Sequence, residues 1–268
     1  MKPKAELGVF GGSGFYSLFE KARHATVGTR YGAPSAPISL STIDGRRVAF
    51  LPRHGVHHEY PPHAVPYRAN VFAFKRLGVM RVLGPSAVGS LKPEVEPGDL
   101  VFCDQFVNLT TGRKDTFYDG PETTHVSAAD PYCPEMRKIA AESAKKLGLK
   151  FHGRGTVVVI QGPRFSTRAE SRFFGTQGWD VVNMTQYPEV VLARELELCY
   201  LNISLVTDYD VGLEGDPRVK PVRHEDVVKV FDANMGRLRS VLVEIVKALP
   251  ERRSCDCGFA LSHARMSA

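Results

Sequence analysis

The 268-residue chain lacks any apolar run close to the roughly 18 residues that a membrane-spanning helix needs. Its first residues, 1–6, lead directly into a short apolar segment and contain no apolar core of a secretory signal. Hydrophobic residues still make up 43% of the chain, enough for the core of one large domain. We therefore expect a cytoplasmic protein that has no membrane partner.

Clustered basic residues are also missing. Lys and Arg outnumber Asp and Glu by 35 to 29, but no basic block is interleaved with aromatic residues. This pattern argues against nucleic acid as a partner. A basic surface that attracts small anions is the better interpretation of the excess charge.

Cysteine is scarce, and its spacing shows neither a disulfide framework nor a zinc-finger pattern. Cys103, Cys133 and Cys199 lie in apolar or mixed segments, where we expect reduced core thiols, and Cys199 falls at the end of a predicted apolar helix. Cys255 and Cys257 lie in a polar stretch after the last predicted helix. We interpret residues 251–268 as a frayed polar tail; the alternative for its two cysteines is a redox or metal-binding pair.

Several nucleotide, metal and hydrolase motifs are absent as well. Gly11-Gly-Ser13-Gly14 lacks the third glycine of a dinucleotide site and the lysine of a P-loop. The four histidines within residues 54–63 have no HExxH spacing, and no carboxylate or cysteine completes a metal set. Neither Ser13 nor Ser166 has the G-x-S-x-G context of a hydrolase nucleophile. We therefore expect no metal site.

Short apolar, β-branched runs are present throughout, and they alternate with helical patterns. Such uninterrupted runs are typical of strands buried on both faces. They span residues 7–10, 47–51, 80–83, 100–103, 156–160, 181–182 and 201–206, and the helical patterns span 69–77, 135–147, 188–199 and 227–249. This order predicts a single α/β domain over residues 1–250, with a mixed, largely parallel central sheet flanked by helices.

Two acids follow the last of these runs. In an extended chain the side chains of Asp208 and Asp210 lie on the same side. Because close carboxylates repel each other, one of them can hold a proton near neutral pH and act as a general acid. A solvated turn is the alternative.

Groups that donate hydrogen bonds to anions follow four other runs. They are Ser13, the pair Arg53 and His54, the segment 86–87, and Thr185. Arginine supplies planar, fork-like donors that suit phosphate oxygens. Because open α/β sheets bind ligands at strand ends, we expect these groups to converge on one pocket.

Eight segments together resemble the trimeric purine nucleoside phosphorylases, including the members that cleave methylthioadenosine. These segments run in the family's order over about residues 7–249: 11–16, 52–55, 66–70, 87–91, 117–120, 162–171, 183–185 and 207–210. The resemblance implies phosphorolysis of 5′-methylthioadenosine to adenine and 5-methylthioribose 1-phosphate. It also implies no organic cofactor or metal, with inorganic phosphate as co-substrate.

The resemblance implies roles for individual residues. Phosphate would be held by Ser13, Arg53, His54, Ser86, Ala87 and Thr185. The nucleoside would contact Phe165, Ser166, Met184, Thr207, Asp208, Asp210 and His224, with Asp208 and Asp210 as the catalytic pair at the purine N7 and 6-amino edge. His125 would reach into a neighbouring subunit's site, so a homotrimer is expected.

Two positions bear on specificity. Relatives that act on 6-oxopurines carry Asn where this chain has Asp208, so the resemblance favours adenine-type substrates. Methylthio-preferring relatives are apolar where this chain has His224, a residue that can bind a 5′-hydroxyl or lie exposed in the first turn of a helix. The alternative function is therefore a purine nucleoside phosphorylase of broader or 6-oxopurine specificity. Two further alternatives come from other classes of protein: a nucleoside-binding protein without catalytic activity, and a nucleoside hydrolase.

Overall fold

The computed structural model describes residues 4–11, 22–121, 123–213 and 215–265. The strands are β1 (Leu7–Gly11), β2 (Arg23–Ala25), β3 (Ile38–Ile43), β4 (Arg46–Pro52), β5 (Arg81–Ser90), β6 (Leu100–Val101), β7 (Gln105–Leu109), β8 (Phe151–His152), β9 (Thr156–Ile160), β10 (Val181–Asn183) and β11 (Cys199–Asp208). The helices are α1 (Tyr67–Leu77), α2 (Pro134–Lys146), α3 (Arg168–Thr176), α4 (Gln186–Glu195) and α5 (His224–Ala248). Within the described residues, no helix is long and apolar enough to cross a bilayer.

The central sheet branches at β5. Its main path has the order β2-β3-β4-β1-β5-β10-β9-β7, and β11 pairs with β5 and β6, which in turn pairs with β8. Pairing is parallel for β5 with β1 and β11, and antiparallel for β5 with β10. The predicted α/β domain with a mixed, largely parallel sheet and flanking helices is therefore confirmed.

The long strand β5 carries a gap on one side. β1 pairs with its residues 81–83 and β10 with residues 89–90, so among the described residues no strand on that side pairs with the stretch between them. Pro85 lies in this stretch, where its missing N–H leaves no ladder hydrogen bond unmade. The expectation that residues 86–87 follow the end of a strand is therefore wrong: Ser86 and Ala87 lie inside β5, because Gly84-Pro85 does not end the strand.

Helices cover both faces of the sheet. Successive strand residues point to opposite faces, so Val82 packs in the core beside α1 and α4, and Leu83 packs in the core beside α2 and α5. In α5 the buried residues Leu238, Val241, Leu242, Ile245 and Val246 recur at helical spacing. Fully burying each such side chain stabilises the fold by roughly 1.5–3 kcal/mol.

Three of the four predicted helices are confirmed as α1, α2 and α5. The prediction of a helix over residues 188–199 is partly wrong. α4 ends at Glu195, and Cys199 begins β11 instead of ending a helix, since it pairs with Arg81 of β5. α3 was not predicted, although its capping box is visible in the sequence: the Thr167 hydroxyl accepts from the Glu170 N–H, and the Glu170 carboxylate accepts from the Thr167 N–H.

The stretch after α5 packs against the core. Asp256–Phe259 forms a 3₁₀ helix, and Cys257 is only 7% exposed. The Ser254 hydroxyl donates to Glu135 at 2.7 Å, and the His125 N–H donates to the carbonyl of Ala264 at 2.7 Å. The interpretation of a frayed tail is therefore wrong for residues 251–265, because their apolar and cysteine side chains find partners that are distant in sequence.

Candidate active site

A cavity of about 640 Å³ opens beside the unpaired stretch of β5. Its lining includes all of the predicted site residues except Ser13 and His125. They are Arg53, His54, Ser86, Ala87, Phe165, Ser166, Met184, Thr185, Thr207, Asp208, Asp210 and His224. Ser13 lies outside the described residues, and His125 lies elsewhere on the chain. The gap between β1 and β10 thus brings the predicted acids and anion donors into one cavity.

Asp208, the last residue of β11, has a carboxyl whose pKa lies above its ordinary range. Its Oδ1 accepts from the Asp210 N–H and its Oδ2 from the Thr207 hydroxyl, both at 2.8 Å. Burial raises the pKa of Asp208 to about 6, with these two hydrogen bonds opposing the shift and the Asp210 charge adding to it. The raised pKa agrees in direction with the predicted proton-holding acid, whose catalytic role stays a prediction, but burial contributes more to the shift than repulsion between the acids.

The backbone conformation that places Asp210 at the cavity differs from the predicted one. Its φ of 45° is left-handed, so it lies in a turn beyond β11 and not on the same face of an extended strand. Asp210 is 3% exposed, and burial raises its pKa. Its Oδ2 and the Ser166 Oγ make no well-formed hydrogen bond among the described residues, although the Ser171 and Ser166 hydroxyls lie near enough to oppose the rise in the pKa of Asp210. A polar ligand in the cavity would satisfy both atoms.

Arg53 is buried in an ion pair with Glu189 of α4. Its Nε and Nη2 donate to the two Glu189 carboxylate oxygens at 2.7 and 2.8 Å, and its Nη1 donates to the Pro85 carbonyl at 3.1 Å. Burial by itself lowers the pKa of Arg53, but the charge and hydrogen bonds of Glu189 raise it above the ordinary value. Because a guanidinium has five N–H groups, donors remain for an anion in the cavity.

His54 lies beside Arg53 as a neutral imidazole. Burial and the Arg53 charge lower the pKa of His54 to about 4, against the opposing effect of a hydrogen bond to the Tyr60 carbonyl. The Nδ1 lies 2.8 Å from that carbonyl and therefore carries the proton, which leaves Nε2 as an acceptor. His58 stacks on the ring at 4.4 Å and also lines the cavity.

Two asparagines orient the hydroxyl groups of the cavity. The Asn202 Nδ2 donates to the Ser86 Oγ at 3.1 Å, so the Ser86 hydroxyl proton is free to point to an anion. The Asn183 Oδ1 accepts from the Thr185 N–H at 2.7 Å, and its Nδ2 donates to the Ala87 carbonyl at 3.0 Å. These bonds fix β5, β10 and the start of α4 relative to one another.

The wall opposite the sheet is formed by the start of α5. His224, Val227, Val228 and Phe231 line the cavity there, and His58 lies 6.4 Å from His224 between ring centroids. This wall combines apolar side chains with an imidazole. It suits a ligand group that is mainly apolar, and it also offers one polar contact.

His125 lies away from its own chain's cavity. Thr124 forms an antiparallel bridge with Arg265, and the His125 N–H donates to Ala264. The residue is exposed in the single chain. Its predicted contribution to a neighbouring subunit's site stays a prediction.

Sequence reasoning missed Glu189, Asn183, Asn202 and His58. An acid inside the apolar stretch 188–193 was a signal for Glu189, and the polar Asn202 within an apolar strand was a second one. Both residues are at most 1% exposed, so each needs a polar partner in the core. The sequence shows that such a partner exists but not which residue supplies it.

The chain resembles known proteins along nearly its whole length. The sequence model of the phosphorylase superfamily matches residues 6–247. An S-methyl-5′-thioadenosine phosphorylase of Pyrococcus horikoshii is 54% identical over 96% of this chain and 97% of its own. A purine nucleoside phosphorylase of Streptomyces coelicolor is 51% identical over 97% and 95%. The structure of a methylthioadenosine phosphorylase from Schistosoma mansoni with adenine has a TM-score of 0.91 at 33% identity, covering 97% and 99%.

Proposed function

Because the chain belongs to the phosphorylase superfamily, we propose that it cleaves 5′-methylthioadenosine with phosphate, releasing adenine and 5-methylthioribose 1-phosphate in purine and methionine salvage. One observation supports this above the others: a carboxyl with a pKa of about 6 and a set of anion donors line the same cavity. The relatives named above are phosphorylases of the same nucleoside class. The enzyme is a pentosyltransferase.

In this proposal Arg53, Ser86, Thr185 and the backbone of Ala87 donate to phosphate beside the anomeric carbon, and the His54 Nε2 accepts from the hydroxyl of the monoprotonated anion. The Arg53 charge is always present, and Glu189 keeps its fork in place. Holding both reactants in one cavity makes the attack effectively intramolecular. A phosphate oxygen forms a bond to the anomeric carbon while the bond from that carbon to purine N9 breaks.

The electron pair of the broken bond moves onto the purine, and Asp208 delivers a proton to N7. Below pH 6 most Asp208 carboxyls carry this proton, because burial disfavours their charged form. Asp210 accepts from the 6-amino group through its unpartnered Oδ2, and the Ser166 hydroxyl contacts the base. Phe165, Met184 and Thr207 enclose the nucleoside.

The proposal is tested by measuring purine release from methylthioadenosine, adenosine and inosine, each with and without phosphate. We expect the fastest release from methylthioadenosine and none without phosphate. Release that does not depend on phosphate would refute the phosphorylase mechanism. Binding without release would favour a nucleoside-binding protein.

A purine nucleoside phosphorylase acting on 5′-hydroxyl nucleosides is the second candidate, and His224 is the observation that favours it. The imidazole lines the cavity beside Val227, Val228 and Phe231. Replacing His224 by Leu separates the two candidates. Methylthioadenosine cleavage is retained if this wall of the cavity binds the apolar methylthio group. Loss of adenosine cleavage alone would show that His224 binds a 5′-hydroxyl.

We also propose a homotrimer in which His125 completes a neighbouring site. Light scattering gives the mass of the assembly. Mixing inactive Asp208→Asn and His125→Ala subunits then tests the shared site, since some sites in the mixed assembly would regain both native side chains. Recovery of activity on mixing is expected, and its absence in mixed assemblies would place His125 outside the site.

A further inference from the structure

Four of the five cysteines converge outside the lining of the cavity described above. The Sγ atoms of Cys133, Cys199, Cys255 and Cys257 all lie within 4.8 Å of one another, and all four are free thiols. The Cys255 Sγ lies 3.6 Å from that of Cys133 and 3.4 Å from that of Cys199. A tetrahedral zinc ion with bonds of about 2.3 Å needs sulfur atoms about 3.8 Å apart. We propose that these cysteines form a structural site for one zinc ion.

The core places two of the ligands independently of any metal. Cys133 precedes α2, and its N–H donates to the carbonyl of Tyr200 at 2.9 Å. Cys199 begins β11, and its N–H donates to the carbonyl of Met80 at 3.0 Å. Both residues are 0% exposed. Half of the proposed site is therefore rigid.

The C-terminal stretch supplies the other two ligands. Cys255 caps the 3₁₀ helix and Cys257 lies inside it, so both thiols turn towards the core. Arg253 packs on this turn, where a Cβ on Gly258 would lie 2.3 Å from its guanidinium. The absence of a side chain at Gly258 lets the Arg253 guanidinium lie against this turn, which contacts Cys133 and Cys199 through Cys255.

Nearby arginines match the charge that such a site would carry. Four thiolates around a divalent ion leave a net charge of about −2. The Arg253 Nη1 lies 3.9 Å from the Cys199 Sγ, within the range of a hydrogen bond to sulfur. Such outer contacts to ligands are typical of built metal sites.

Arg81 is the second arginine. It is 2% exposed, and its Nε and Nη2 have no hydrogen-bond partner among the described residues. Its backbone pairs with Cys199, and it shares a sheet face with Leu83, which packs in the same core as Cys199. Buried N–H groups of a cation without acceptors are costly, and an anionic metal centre on the same face would offset that cost.

The ligand set selects the metal and its role. Four sulfur ligands in a tetrahedron suit zinc, and no ligand position stays open for substrate or water. The ion would therefore hold structure and take no part in phosphorolysis. It would fasten the C-terminal stretch whose Ala264 carbonyl accepts from His125. This proposal departs from the sequence-based expectation of no metal site, which rested on spacing along the chain alone.

The test is metal content and thiol content of the protein purified under reducing conditions without added chelator. We expect about one zinc ion per chain by mass spectrometry of the metal, and all five cysteines titratable after denaturation with chelator. Cys257→Ser is expected to lose the metal. Cys103→Ser is the matched control, since Cys103 is buried outside the cluster and its loss should leave metal content unchanged.

Protein without metal, or with metal retained in Cys257→Ser, would overturn the proposal. Two disulfides among the four cysteines, leaving one titratable thiol, would overturn it as well. If Cys257→Ser does not fold, cobalt substitution of the reduced wild-type chain decides: thiolate-to-cobalt charge-transfer bands are expected, and their absence refutes the site. Arg253→Met should weaken zinc binding by roughly 10–100-fold.

Discussion

Replacing Asp208 by Asn separates the cost of the acid to stability from its contribution to catalysis. The side chain keeps its shape, and an amide oxygen still accepts from the Asp210 N–H. The amide N–H₂ faces the Thr207 hydroxyl, which accepts from it and donates to the Val88 carbonyl instead. The variant therefore folds with its local network intact, but it has no proton to deliver.

The effect on stability follows from the pKa of Asp208. Folding raises it from 3.8 to about 6, so its favourable contribution is complete below pH 4 and is lost as the pH rises through 6. Two pKa units correspond to about 3 kcal/mol, an upper limit because the cavity is open to water. At pH 8 the Asn variant should therefore be more stable than the wild type by up to about 3 kcal/mol, and the gain should vanish at pH 4.

The effect on activity has the opposite direction. Loss of a positioned general acid should lower kcat/KM for methylthioadenosine by about 10²–10⁴-fold, which is roughly 3–5 kcal/mol in the barrier. The wild-type rate should also fall as the pH rises through about 6, and the variant should lack this dependence. Because an amide can donate to a 6-oxo group, the preference for inosine over adenosine should increase.

Two assays check the Asp208 predictions: denaturant unfolding at pH 4 and pH 8, and steady-state kinetics over the same range. Asp232→Asn is the matched control, since Asp232 is an exposed acid at the rim of the same cavity. It should change neither quantity appreciably. Near-normal turnover of Asp208→Asn, or a loss of stability at pH 8, would refute the reasoning.

Three further perturbations address the rest of the site. Glu189→Gln removes the charge that pairs with buried Arg53, so we expect a loss of up to about 3–5 kcal/mol in the free energy of unfolding. We also expect a rise in the KM for phosphate that exceeds the change in kcat. An unchanged KM would mean that Arg53 does not hold phosphate. His54, with a pKa of about 4, should stabilise the fold above pH 6.5 and lose this contribution as the pH falls through 4; an NMR titration of its ring near pH 6.5 would contradict this. Gly89→Ala places a Cβ 2.9 Å from the Asp208 Oδ1. Displacing that carboxyl should lower kcat/KM about a hundredfold. Unaltered kinetics would show that the surrounding backbone shifts to accommodate the Cβ and leaves the Asp208 carboxyl in place.

Much of the site could be predicted from the sequence because its residues lie in short segments with local signals. Asp208 ends an apolar run, Arg53 follows another, and both line the cavity. The partners that set their properties could not be predicted in this way. Glu189 lies 136 positions from Arg53, and Asn202 lies 116 positions from Ser86. No local pattern relates residues at such separations.

The sequence by itself determined the elements with strong local periodicity. α5 follows from apolar residues three and four apart, and it ends before Pro250 because proline cannot continue a helix. Burial was decided only by the tertiary structure. The sequence carries the acid at position 208, but its raised pKa depends on water that distant strands exclude. In the same way, only the fold brings Cys255 to Cys133 and Cys199, since their contact depends on how α2, β11 and the C-terminal stretch pack together.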